Sequence, residues 1–202
     1  MGEYRSLFLR AHAKSQKWDL HPPDLRKPER VPNLATLLPY RDGVEMAMAT
    51  SFRGFSAQCG AVHFFAAYAI GAERKVDVPY VTIGDVLVKG NPRYGASYQK
   101  LKQDVRQGPS RTGKIDCHVW LTFPDMVILD LSLGVGLGYD QEADLDESKK
   151  DSYVIWGSPK ELAERSGFDY RPYLVGYFFL FQSGMIEPAV LQRLPPLKNG
   201  LL

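Results

Sequence analysis

The sequence predicts a single α+β domain in which a buried helix packs on an antiparallel sheet, and two stretches carry that prediction. The first, Phe55 to Gly71, is apolar at nearly every position after Gln58 and Cys59. A helix that is apolar all round must be surrounded by protein. The second, Ile115 to Leu133, alternates with period two on either side of Pro124-Asp125, the pattern of a hairpin with one buried face. A helix and a hairpin that each need covering are satisfied by packing on one another.

The chain has 202 residues, enough for one domain with a substantial core, or one domain with an appendage. With 45% hydrophobic and 24% charged residues, the composition is that of an ordinary soluble globular protein. Net charge is +2, and the absence of a strongly basic patch argues against nucleic acid as the main partner. No apolar run is long enough for a membrane span, and Met1 to Ser6 lacks a signal core. Gly2 and Ser6 fit a loose myristoylation pattern. Cys59 and Cys117 do not make a disulfide framework, so the expected setting is a reducing cytoplasm with free thiols; one bridge between them stays open.

In chain order, residues 3–17 read as an amphipathic helix with Leu7, Phe8 and Ala11 on one side. Residues 18–33 carry Pro22, Pro23, Pro28 and Pro32 and read as an irregular arm, because proline fixes φ and removes a donor. A short helix is expected over 41–51, then the central helix over 56–70, capped by Ser56 and closed by Gly71. The β-formers of 76–88 suggest one or two strands broken at Gly84-Asp85, 96–107 a surface helix, and 107–113 a loop. After the hairpin, 139–151 reads as an exposed acidic loop and 152–156 as a short strand. Ser158, Pro159 and Glu161 start a helix that ends near Gly167. Residues 173–181 read as a buried strand and 187–194 as a last short helix. The layout is therefore 1–40 helix plus Pro-rich arm, 41–138 core, and 139–202 elements completing the sheet.

Cys59 is the odd residue of the central helix. In the first turn a thiol lies near the positive end of the helix dipole and beside unpaired N–H groups, which stabilise a thiolate and can hold an oxyanion. Free cysteine also commonly just packs. In the hairpin, burial of the odd positions makes paired residue numbers sum to an even number. A three-residue loop, Phe123 to Asp125, gives a sum of 248, placing His118 directly opposite Asp130 with Cβ atoms about 5 Å apart. An imidazole oriented by a carboxylate is the base half of a nucleophilic triad, or equally a structural hydrogen bond.

Gln58-Cys59 opening an apolar helix, His118-Val119-Trp120-Leu121 on one strand and Ile128-Leu129-Asp130-Leu131-Ser132 on the next resemble the transglutaminase-like branch of the papain-like cysteine enzymes. The match covers residues 56 to 133, and the order Cys, His, Asp is that family's. Arylamine acetyltransferases share the layout, and Asp130 to Gly134 is similar to them. The resemblance implies a papain-like fold and thiol acyl transfer on a peptide, amide or thioester: protease, amidase or transglutaminase. It assigns Cys59 as nucleophile, His118 as general base and Asp130 as orienter. Gly60 stands where the family commonly has a bulky aromatic.

Gln58 is a candidate oxyanion donor, and Trp120 and Tyr98 are candidates for a substrate groove or for the core. His63, on the Cys59 face of the helix, reads as a packed histidine, an alternative base or a metal partner. A zinc site from Cys59, His63, Cys117 and His118 fits poorly, because adjacent strand residues point to opposite faces. No metal or cofactor is expected. The alternative function is a non-catalytic binding module on the same fold.

Overall fold

A computed structural model describes residues 2–108, 115–140 and 146–194. Helix α1 (Gly2–Lys17) buries Tyr4, Phe8, Ala11 and Ser15, one stripe at helical spacing. It docks on the sheet through polar groups as well: the Trp120 indole donates to the Tyr4 hydroxyl (3.0 Å), and Ser15 Oγ accepts the Val175 N–H (2.8 Å). The proline-rich arm follows, and its prolines leave few backbone donors. Side chains tie it down instead. His12 Nε2 donates to the Pro23 carbonyl, Tyr80 Oη accepts the Arg26 N–H, and Asp77 accepts the N–H groups of Glu29 and Arg30.

Helix α2 (Leu34–Met48) starts seven residues before the expected 41, under a capping box between Asn33 and Thr36, and holds Pro39 inside it. A 3₁₀ turn over Phe52–Ala57 leads into α3 (Cys59–Glu73), so the central helix begins at Cys59 rather than Ser56. It also runs through the buried Gly71 and is closed by Arg74 in the left-handed region (φ 55°). The predicted serine cap and glycine stop are thus both displaced, because the 3₁₀ turn takes up the residues before Gln58.

Strand β1 (Tyr80–Val88) passes unbroken through Gly84-Asp85 and turns at Lys89-Gly90 into the two-residue β2 (Asn91–Pro92). Then come α4 (Tyr98–Gln107), β3 (His118–Thr122), β4 (Ile128–Asp130) and α5 (Leu133–Asp140). A 3₁₀ segment spans Glu147–Tyr153, in part of the expected acidic loop, and is followed by β5 (Ile155–Gly157). Most of the loop expected over 107–113, and residues 141–145 of the acidic loop, lie outside the described residues. Helix α6 (Pro159–Ser166) has the Ser158–Glu161 capping box and the Gly167 stop that its sequence announces.

The strand expected over 173–181 lies earlier, as β6 (Phe168–Val175). Gly176, at φ 108°, breaks it, because a Cβ there would press on Pro22 at 3.1 Å. The apolar run that follows becomes α7 (Phe178–Gln182), and α8 (Ala189–Arg193) ends the described chain.

Among the described residues the strands form one antiparallel sheet in the order β2-β1-β3-β4-β5, with β6 also on β1. Both faces are covered. Val119, Leu121 and Leu129 join α2, α3 and α7 in one core, while Trp120, Ile128 and Tyr170 join Phe8 of α1 and Leu162 of α6 in another. The protein is thus mixed α and β around an antiparallel sheet. No helix among the described residues is long and apolar enough to cross a membrane.

Candidate active site

The hairpin keeps the predicted parity but not the predicted register. Leu121 pairs with Leu129 and Thr122 with Ile128, so paired numbers sum to 250 and not 248. The three-residue loop is Pro124 to Met126, closed by Phe123–Val127 pairing, with Met126 in the left-handed region at φ 71°. His118 and Asp130 are therefore diagonal rather than directly opposite. They still share a face, because a shift of two residues preserves it. Their side chains meet: His118 Nε2 donates to Asp130 Oδ2 at 2.6 Å.

Asp130 is surrounded by donors. Oδ2 also accepts the Tyr170 hydroxyl at 2.9 Å, and Oδ1 accepts the N–H groups of Ser132 and Leu133, both at 3.0 Å, at the start of α5. Burial alone would raise its pKa; the His118 charge and hydrogen bond, His63 and the Leu133 N–H outweigh it and hold the carboxylate well below the usual range. His118 moves the other way. Burial opposes the imidazolium, but the Asp130 charge and hydrogen bond, with the Cys59 thiol, raise its pKa above the ordinary histidine value.

With Nε2–H committed to Asp130, Nδ1 is the nitrogen at which His118 gains or loses its titrating proton. That atom is buried and has no hydrogen-bond partner among the described residues. Cys59 is the thiol close enough to perturb this ring. It is the first residue of α3, and Gln58 provides no side-chain cap. The first-turn N–H groups therefore point their positive end at the thiol without a capping oxygen from Gln58.

His63 holds the helix start in place. Its Nδ1–H donates to the Cys59 carbonyl at 2.8 Å, and its Nε2 accepts the Leu131 N–H at 2.9 Å. Both nitrogens are thus engaged, which leaves neither for a metal or for the Cys59 proton. Burial, ahead of the opposing Asp130 charge, lowers its pKa to about 4, so it is neutral.

Two further groups frame the imidazole. The Tyr94 ring lies flat on it, centroids 4.7 Å apart and planes 5° from parallel. The loop bearing Tyr94 is gathered by the buried Asp85, whose carboxylate accepts the N–H groups of Val86, Tyr94 and Ala96. Trp120 is fully buried, so it backs His118 and lines no groove. Tyr98 packs between Trp18 and Tyr173. Gln58 is exposed, and its amide nitrogen lies 3.8 Å from where a Cβ on Gly54 would stand. Met185 and Leu180 cover Gly60, at 3.0 and 3.5 Å from where a Cβ on it would stand. Cys59 and Cys117 are both free thiols; burial, first of several causes, pushes the Cys117 thiol well up.

The roles of Tyr94, Tyr170 and Asp85 were not legible from local pattern. The alternation of Tyr170, Pro172 and Leu174, buried every second residue in β6, is the signal that would have found Tyr170. No family model, curated protein or solved structure matches the chain.

Proposed function

We propose that the chain performs thiol-dependent acyl transfer or amide hydrolysis through Cys59, His118 and Asp130. The observation that carries this is the held imidazole: Asp130 takes His118 Nε2–H, which leaves the buried Nδ1 to exchange a proton with the Cys59 thiol at the helix start. The order Cys, His, Asp on a helix and two successive strands, which resembles that of the transglutaminase-like enzymes, supports the same reading.

In this reading the Cys59 thiol passes its proton to His118 Nδ1, and the sulfur attacks the carbonyl carbon of a peptide, amide or thioester. The oxyanion is stabilised by the first-turn N–H groups, Cys59 and Gly60 foremost. His118 returns the proton to the leaving amine or thiol as the tetrahedral intermediate collapses to an acyl-thioenzyme. A second acceptor, water or an amine, loses its proton to His118, attacks the thioester and releases Cys59. Asp130 stays ionised throughout, holding the ring's tautomer and balancing its charge.

The test is alkylation of the native protein with iodoacetamide, read by mass spectrometry at about pH 6, where a free thiol with a pKa of about 8.5 is almost wholly protonated. Single-site labelling at Cys59, faster than for a free thiol, is expected. Native Cys59 that labels no faster than a free thiol at that pH would remove the proposal.

A second reading is favoured by the near burial of Cys59, which is 8% exposed. It is a non-catalytic binding module on the same framework. It expects Cys59→Ala to leave partner binding intact.

A further inference from the structure

If Cys59 is the nucleophile proposed above, a substrate must reach a thiol that is 8% exposed, beside an imidazole that is 1% exposed. Two cavities of the protein lie elsewhere. One is bounded by Pro23, Phe64, Tyr80 and Tyr177, the other by Val44, Phe65, Val190 and Leu194. Neither lining includes Cys59 or His118.

What surrounds the pair is unequal. Below are α3 and His63, bonded at both nitrogens. Behind are Asp130, Tyr170 and the fully buried Trp120. Met185 and Leu180 pack on Gly60. Among the described residues, the ring that lies flat on His118 is Tyr94, half-buried and flanked by exposed residues 91–93 and 95.

The sheet explains why it is there. β3 runs along β1 only as far as the His118–Gly84 pair. Beyond that point the same edge of β1 is taken by β2, with Asn91 and Pro92 paired to Val88 and Leu87. The Arg93 N–H then bonds the Val86 carbonyl at 3.0 Å. The next residue, Tyr94, is thereby delivered onto the imidazole at the end of β3. Burial first, and then the charges of Cys59 and Asp130, hold its hydroxyl protonated well above the ordinary tyrosine range.

We infer that Tyr94 is the specificity-determining residue of this site: its ring holds His118 flat and sets how large an electrophile reaches Cys59. The ring does this by shape and stacking, so phenylalanine serves as well as tyrosine and a small side chain does not.

The experiment compares Cys59 labelling of the intact protein by iodoacetamide and by a bulky biotin-maleimide, in wild type and in Tyr94→Ala, Tyr94→Leu and Tyr94→Phe. The ratio of the bulky to the small reagent's rate is expected to rise by about tenfold or more in Tyr94→Ala. It should rise less in Tyr94→Leu and stay within about twofold of wild type in Tyr94→Phe. Cys117, 2% exposed, is the internal control and must stay unlabelled. An unchanged ratio in both the Ala and Leu variants, with Cys117 protected, overturns the assignment. So does labelling of Cys117 in step with Cys59 in both, since Tyr94 would then be holding the fold together rather than screening the site. Failure of the nucleophile reading shows separately, as a wild-type pH profile for iodoacetamide that matches a free thiol whatever the size ratio.

Discussion

The backbone N–H of Leu131 donates to His63 Nε2 at 2.9 Å, in the position where the β3–β4 ladder would otherwise continue. Phe123 pairs with Val127 and Leu121 with Leu129, so alternation would next join Val119 to Leu131. The strands part there instead. An imidazole from α3 takes the freed donor, and the start of the helix is brought to the gap beside His118.

His63→Ala should therefore destabilise strongly. It strands a buried N–H at Leu131 and removes the donor to the Cys59 carbonyl, at a cost of about 3 kcal/mol. Urea unfolding would measure it. A loss within about 0.5 kcal/mol would mean that the link is dispensable.

The same residue makes stability fall in mild acid. Unfolded His63 takes up its proton near 6.5, but folded His63 only near about 4. Between those values the unfolded state binds more protons, so stability drops as pH is lowered through that window, by up to about 3 kcal/mol. Asp130 acts lower: its depressed pKa contributes stability above the ordinary carboxylate range, lost as pH falls below it. Unfolding free energies at several pH values should show the upper slope in wild type and its absence in His63→Ala.

Asp130→Asn keeps the shape of the side chain and removes its charge. The cause that raises His118 most is then gone. The rate of Cys59 alkylation at about pH 6 should fall towards that of a free thiol. An unchanged rate would show that Asp130 braces α5 without tuning the imidazole.

Gly84→Ala should be among the most damaging single changes. A Cβ there would stand 2.0 Å from the Arg171 carbonyl oxygen and 2.9 Å from the Trp120 ring. The register between β1 and β6 shifts at this point, and on the other edge Gly84 is paired with His118 of β3. A loss on the order of 3 kcal/mol or more is expected. Near-wild-type unfolding would show that the bulge relaxes.

Tyr80→Phe removes the acceptor of the Arg26 N–H and the donor to the Asp24 carbonyl. A cost of about 1 kcal/mol is expected, concentrated in the arm. Tryptic cleavage after Arg26 and Arg30 should accelerate while the core stays resistant, and an unchanged digestion pattern would place the arm's attachment elsewhere.

Several elements were legible because their signals are local. The Ser158–Glu161 box and Gly167 bracket α6, the prolines of 18–33 exclude regular structure, and Phe8 and Ala11 mark the buried face of α1, to which the structure adds Tyr4 and Ser15 while Leu7 is half-buried. Other elements were misplaced where two local signals compete. The aromatic run 177–181 reads as strand or helix equally well, and Gly176 with Pro22 against it decides for helix. The caps at Ser56 and Gly71 are sound in isolation, but the 3₁₀ turn before Gln58 moves the helix start to the thiol itself. Tyr94, Asp85 and Tyr170 lie 24, 33 and 52 residues from His118 in sequence. Nothing in their immediate neighbours marks them as its companions.

By itself the sequence determined a parity. Period-two burial puts His118 and Asp130 on one face of a hairpin in every even register, because side chains alternate strictly along a strand. Which even register is adopted, where the two strands part, and what enters the gap were decided only in three dimensions. Those outcomes depend on the left-handed turn at Met126, on His63 competing with Val119 for a single N–H, and on β1 extending past the end of β3 to carry Tyr94 across. Each is a contest between groups far apart in the chain, and local pattern cannot rank such groups before they meet.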